Sequence, residues 1–410
     1  MLALLVLITT INLMDRQLPF IMAEPIRKEF GLNDTQLGLL GGFAFSLVYA
    51  LGALPLARLA DRTSRRTVLS ACLAVWSLFT GLGALATGFG FLMATRAGVA
   101  IGEAGAAPSS HSMIADLFPD RRRALAMALN TAGIPLGVLF GMAIGGFLLT
   151  NFTWRQVLVM AAVPGLLLAL VLMAFVREPQ RIGAVAGVAG PGFAASVRIL
   201  AGQPSFRWLC AGATLGAFST SAGAAFGPAF LIRAHGLSIG QAGLAFGLML
   251  GAGGVAGGIS AGLLASRIAA KDPRWLMRIP AIGAAIQMPL YCASWLIPDL
   301  RLMIVIQAAG WLIGSSYLSL SYTATQAIAA PRMRAFSSAA IQLVLNLLGN
   351  VLGPIVAGML SDRITIGPGG GLGIALSVCG LGMGLACLSF WRASRLIGGD
   401  IVAARALAAA

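Results

Sequence analysis

Asp15 and Arg16 stand side by side in a stretch, 1–22, that is otherwise almost entirely apolar: MLALLVLITTINLMDRQLPFIM. A second apolar stretch, RAGVAIGEAG at 96–105, carries Arg96 and Glu103. A charge near the centre of a bilayer costs roughly 2.5–3.5 kcal/mol on insertion scales, so it persists only where it faces a protein interior or a wet cavity. Of the 13 acidic residues, only Asp15 and Glu103 fall well inside apolar segments. They are the candidates for a proton or ion site. Arg16 and Arg96 are the candidates for pairing with them or for holding an anionic ligand. Seven residues put Arg96 and Glu103 on one helix face, about 10 Å apart along the axis.

The elements that must position these charges follow from composition. The chain of 410 residues is 58% hydrophobic and 10% charged, with mean hydropathy +0.90. Soluble domains average about 25% charged residues, so lipid is the solvent for most of this chain. The apolar runs are continuous rather than alternating, and many reach the ~20 residues that a spanning helix needs. The expected fold is an all-α membrane protein of twelve transmembrane helices, at about 1–22, 35–59, 67–88, 91–114, 124–150, 156–176, 206–232, 239–265, 276–297, 302–328, 336–360 and 371–396. The domain plan is a six-helix half over 1–176, a linker rich in Gly and Ala over 177–205, a second six-helix half over 206–396, and a tail over 397–410. Met1 opens directly into a span, with no cleavable signal, which leaves room for a short leader ahead of it.

The net charge is +15. In a soluble protein this would suggest nucleic acid; here its placement explains it, and no nucleic-acid partner is expected. Twenty of the 28 basic residues lie in even-numbered loops and the tail, six lie in odd-numbered loops, and Arg16 and Arg96 make up the rest. The positive-inside rule then puts both termini in the cytoplasm of a multi-pass protein of the cell (inner) membrane. Arginine far outnumbers lysine and Ala and Gly abound, which hints at a bacterial source.

The halves repeat. Gly31, Leu32, Gln36, Gly38, Leu39, Leu59 and Arg62 recur without a gap as Gly236, Leu237, Gln241, Gly243, Leu244, Leu264 and Arg267. The same offset sets Asp15 against Thr220, Arg16 against Ser221 and Asp61 against Ser266. The second half lacks these charges, so ion coupling is expected in the first. Two six-span halves of parallel orientation describe the major facilitator fold, with its site at the half interface.

Other polar groups sit in apolar segments: Asn130, Tyr317, Tyr322, Gln326, Gln342, Asn346 and Asn350. Some line a cavity in this reading and others bond between helices. Phe218, Phe226, Thr220, Ser221 and Trp311 are further candidates for cavity walls. His111 and His235 are the two groups that titrate near neutrality in their ordinary state. Gly-rich stretches at 135–146 and 353–363 read as helix-packing motifs. The five cysteines lack metal or redox spacing, and no phosphate loop or nucleophile triad is present. No metal, no cofactor beyond protons as the coupling ion, and no enzymatic activity is expected.

ARLADRTSRR at 57–66 resembles the loop signature of major facilitator transporters, with Ala57 and Ser64 in place of its two glycines. The resemblance implies a cytoplasmic latch in which Asp61 faces the N-terminal end of span eleven while Arg62 and Arg65 bind the end of span four, where Asp116 is the available acid. RAGVAIGEAG resembles the span-four signature of the same superfamily. NLMDRQLP at 12–19, GLNDTQLGLL, AIGEAGAAPS at 100–109, ADLFP with its following arginines at 115–123, and GPIVAGMLSDR together resemble the Spinster branch over nearly the whole chain. That likeness implies a proton-coupled, alternating-access exporter of an amphiphilic lipid, of the lysophospholipid or sphingoid-base phosphate type, acting as a monomer among membrane lipids. Asp15 and Glu103 would then couple protons, with Arg16 and Arg96 as their ion-pair and substrate partners. A major facilitator for a small organic anion or drug is the alternative, followed by a non-coupled lipid scramblase or receptor.

Overall fold

The computed structural model describes residues 1–178, 193–269, 271–329 and 333–409. The side chains at 54, 57, 61, 120, 121, 123, 124, 193–195, 334, 335 and 405–409 fall outside that description. So do the Asp61 side chain of the expected latch and residues 179–192 of the expected linker.

Every regular element among the described residues is a helix. Eleven are long and apolar enough to cross a membrane: Leu2–Ile21, Asp34–Ala60, Arg65–Leu85, Leu125–Leu148, Trp154–Phe175, Pro204–His235, Ile239–Ile268, Trp275–Ser294, Leu300–Ile328, Phe336–Arg363 and Leu372–Ala404. They correspond to expected spans one to three and five to twelve. The fourth is present in two pieces, Phe89–Ala104 and Ala106–Leu117, interrupted at Gly105. Neither piece alone reaches the length of the other eleven. Between spans six and seven lies a further helix, Phe193–Gly202.

The repeat read in the sequence has a local physical cause. Gly31 ends a helix in the left-handed region at φ 62°, and Gly236 does so at φ 65°. Only glycine adopts that conformation without steric penalty. Two residues later each half starts a span with a capping box. The Asn33 side chain accepts from the Gln36 amide while the Gln36 side chain accepts from the Asn33 amide. Ser238 and Gln241 exchange the same two bonds. Asn and Ser are both strong caps, so the turn survives their exchange.

The chain forms two compact units, Met1–Ala184 with Ala224–Gly251, and Val185–Gly223 with Ala252–Ala410. The first is centred on the fully buried Trp76, with Leu73, Met113 and Ile114 around it. The second is centred on Phe390, Met277 and Ile341. Large apolar side chains such as Leu51, Leu170, Phe175, Val305 and Leu388 are exposed, as a lipid-facing surface requires.

Close packing between spans relies on missing side chains. A Cβ on Gly137 of span five would collide with the Thr10 carbonyl oxygen of span one. A Cβ on Gly353 of span eleven would collide with the Phe218 carbonyl oxygen of span seven. Both Gly-rich motifs therefore serve as packing surfaces, five against one and eleven against seven.

Candidate functional site

The small residues that pack the helices also aim the charges. Gly133, Gly137, Gly141 and Gly145 press on Thr10, Leu13, Met14, Gln17 and Ile21 of span one. At 100° per residue, Asp15 and Arg16 then point to the other side of that span. In the fourth segment, Gly98 lies against Phe79 and Gly102 against the backbone of Trp76, both in span three. Arg96 and Glu103 fall on the opposite face of that helix. The glycine before Glu103 thus brings the segment onto span three so that the acid points away from it.

These two faces meet. Arg16 Nε donates to Glu103 Oε2 at 2.5 Å. Glu103 is only 1% exposed and Asp15 only 3%. The second Glu103 oxygen, Oε1, is buried with no hydrogen-bond partner. Asp15 Oδ2 accepts from the Thr80 hydroxyl at 3.1 Å. The Arg16 guanidinium lies over two rings, 4.8 Å from the Phe45 centroid and 4.6 Å from that of Tyr49. Arg96 lies over the same Phe45 ring at 5.3 Å, and its Nε is buried without a hydrogen-bond partner. All four charges found in the sequence therefore gather in the first unit. Their aromatic and hydroxyl supports, Phe45, Tyr49 and Thr80, were not legible, since nothing in an apolar run marks which ring will lie beneath a cation.

This arrangement has defined chemistry. One acid and one guanidinium are paired, and one acceptor and one donor remain unused. Protonating Glu103 would release the Arg16 fork while the two rings keep it in place by cation–π attraction. Among the described residues, no three His, Cys, Asp or Glu side chains converge as a metal site requires.

The candidates of the second half are spent largely on packing. Thr220 bonds the Gly216 carbonyl of its own helix and lies 3.2 Å from the Tyr317 hydroxyl. Ser221 donates to the carbonyls of Phe218 and Gly349. Tyr322 donates to Gln342 at 2.6 Å, and Gln326 reaches Ser338. Asn350 donates to Asn346 at 2.9 Å. Trp311 is 8% exposed and Phe226 1%. In the first unit the buried Asn130 accepts from Thr9 at 3.2 Å. His111 is exposed, while His235 packs edge-on against Phe230.

At the arginine-rich end, Arg65, one of the two arginines expected there, pairs with Asp116, while the other, Arg62, is exposed. Ser64 caps span three, so Arg65 enters the first helical turn and is turned inward, while Arg62 ends the preceding helix. The buried Arg65 also bonds the Ser112 carbonyl and hydroxyl and, at 3.0 Å, Glu178. Glu178 was missed by sequence reasoning. It sits just beyond span six and takes bonds from the Ser64 hydroxyl and from the amides of Arg65 and Arg66. A carboxylate on a helix N-terminus is the favourable placement. Partial burial works against its charge, yet those amides, the hydroxyl and Arg65 hold its carboxyl below the usual glutamate range.

At the opposite end of the first unit, Arg233 grips Asp34 with both nitrogens, at 2.7 and 2.8 Å, and Glu24 through Nε at 2.5 Å. Glu29 pairs with Arg155 and accepts from Trp154 Nε1 at 2.6 Å. Chiefly through the bond from Arg155, the Glu29 carboxyl is held below its ordinary range.

The sequence profile of the Major Facilitator Superfamily matches residues 5–354. An MFS-type efflux pump of Mycolicibacterium smegmatis is 37% identical over 404 residues, 97% of this chain and 93% of that protein. Human protein spinster homolog 1 is 29% identical over 390 residues, 88% of this chain and 72% of that protein. A crystal structure of a bacterial homologue of the human lysosomal transporter Spinster, inward-facing and unoccupied, is 30% identical and superposes with TM-score 0.88 over 97% of each chain.

Proposed function

The chain belongs to the Major Facilitator Superfamily, on its Spinster branch, and we propose that it couples inward proton movement to export of an amphiphilic lipid with an anionic head group, by alternating access. The observation that carries this reading is the Arg16–Glu103 pair, set over the Phe45 and Tyr49 rings beside an Arg96 with an unused donor. Deprotonated Glu103 holds Arg16. A proton on Glu103 removes that hold, and the Arg16 fork together with Arg96 then binds a phosphate. Arg suits this role because its planar donors match a phosphate bidentately. Asp15 is the second proton site. In this reading the latch at the arginine-rich end is the network of Arg65, Asp116 and Glu178, and its ion pairs hold one conformation.

The proposed orientation has both termini in the cytoplasm. Its support is the count of basic residues, 20 in the even-numbered loops and tail against 6 in the odd-numbered loops. A small organic anion or drug is the second reading; the 37% identical relative is named an efflux pump, which fits export of either cargo. Flux into or out of proteoliposomes, measured across a panel of lysolipids, sphingoid phosphates and small organic anions with and without a pH gradient, tests both. Equal flux with and without the gradient rules out proton coupling, and transport of small anions alone rules out the lipid.

A further inference from the structure

We propose that Asn12 is the positioning residue for Glu103: its side-chain amide donates to the ionised carboxyl and, turned over, accepts from the protonated one. The inference rests on the proton-coupling reading and adds the group that keeps the acid in place while its charge comes and goes. Asn12 lies four residues before Arg16 and three before Asp15, so the three share one face of span one. Around the helix it falls about 40° from Arg16 and about 60° from Asp15, away from the face that Gly137 and Gly141 of span five press upon. It is 6% exposed. Its side chain faces the Glu103 carboxyl. Yet Asn12 Nδ2 and Glu103 Oε1 are both buried, and both stop short of a hydrogen bond with any described group.

A buried donor and a buried acceptor left apart are costly, and a turn about the Asn12 side chain joins them. Span one then grips Glu103 at both oxygens, with Arg16 on Oε2 and Asn12 on Oε1. The two grips differ in kind. A guanidinium only donates, so its hold weakens when Glu103 takes a proton. An amide carries donors at one end and an acceptor at the other. Turned by half, it takes the new O–H on Oδ1. No bond within Asn12 breaks, and the proton, drawn from water in the coupling reading, stays on Glu103. Asn12 is thus bonded in both states and Arg16 in one. The charged groups facing Glu103 are Asp15 and Arg16 of span one and Arg96 of its own segment. Span two brings the Phe45 and Tyr49 rings to Arg16, and span three brings Thr80 to Asp15. Arg65, in the first turn of span three, is engaged by Asp116 and Glu178.

The probe is the carbonyl infrared band of protonated Glu103, assigned by its loss in Glu103→Gln. In Asn12→Leu, which removes both polar ends of the side chain, the band should move to higher wavenumber, as a carboxyl that loses a hydrogen bond does. Asn12→Gln, which keeps the amide, should bring it back part of the way. Maximal flux of an anionic lysolipid under a pH gradient should fall about ten-fold in Asn12→Leu, with the half-saturating concentration little changed. A measurement on the parent protein covers the case in which the variants do not fold. With isotope-labelled asparagine, the acid-minus-neutral spectrum should contain an asparagine amide band that disappears in Glu103→Gln. A Glu103 band unmoved in Asn12→Leu, or a difference spectrum without the amide band, overturns the role of Asn12 and leaves coupling through Glu103 intact. A parent protein that shows no Glu103 acid band at any pH overturns coupling through Glu103 and this inference together.

Discussion

Glu103 gives its short ion pair to Arg16 of another span, with Nε 2.5 Å from Oε2, rather than to Arg96, which shares its own helix face one heptad away. A helix fixes the Arg96–Glu103 spacing at about 10 Å, too far for contact. Tertiary approach supplies the partner, and so makes the pair breakable by motion or by a proton.

Glu103→Gln should imitate the protonated state. With Arg16 released, affinity for an anionic lysolipid at neutral pH should rise about ten-fold, some 1.4 kcal/mol. Its dependence on pH should flatten. Isothermal titration at two pH values checks this, and unchanged affinity with an unchanged pH profile rejects the role.

Arg16→Ala should weaken binding of the same anion more than Arg16→Lys does, with Lys giving partial recovery only. The lysine ammonium keeps a charge but loses the fork and much of the stacking over Phe45 and Tyr49. Phe45→Leu should reproduce part of the loss. Equal affinities across the three proteins would exclude head-group contact at Arg16.

Asp15→Asn should reduce proton-driven transport to background while the protein still inserts and folds. Flux under one fixed pH gradient, alongside a thermal melt in detergent, separates the two effects. Equal flux from parent and variant counts against coupling through Asp15.

Glu178 makes a pH prediction with a definite sign. Its folded-state carboxyl is held below the ordinary range, so its stabilisation is present above the unfolded value and is lost as pH falls through the folded one. Glu178→Gln should lower the melting temperature near neutrality and flatten the acid limb of its pH profile. A parallel profile in parent and variant would remove Glu178 from the account.

Arg233→Gln should lower stability, by less than the about 3–5 kcal/mol of a wholly unpaired buried charge, because it leaves Glu24 and Asp34 with only the longer contacts from Arg27, at 3.9 and 3.6 Å. Arg233→Lys should recover only part, since the two-pronged grip on Asp34 needs the planar fork. Thermal unfolding in detergent measures both.

Much of this was readable from residue types. Continuous apolar runs gave eleven of the expected spans, and the rarity of intramembrane acids singled out Asp15 and Glu103. The recurrence of Gly-Leu and Gln marked a turn whose αL glycine and capping box are local properties. What stayed hidden depends on approach between distant segments. Phe45 and Tyr49 look like any span aromatics until Arg16 lies over them. Glu178 lies 113 residues from Arg65, in a segment that reads as the start of a linker. The choice of Arg65 over Arg62 turned on one helix start at Ser64, the kind of boundary that periodicity does not resolve. Gly105 interrupts the fourth segment where Pro108, three residues on, lacks an N–H to donate to the Ala104 carbonyl.

The two halves share a turn, yet where one has Asp15 the other has Thr220, a hydroxyl turned onto its own helix. A duplicated scaffold with its ionisable groups on one side is a modular machine. Exchanging polar positions of the second copy, such as Tyr317 or Asn346, for those of a relative would leave in place the four charges on which both the proposed coupling and the proposed head-group binding rest. A search for a new apolar cargo with the same anionic head should therefore begin in the second copy.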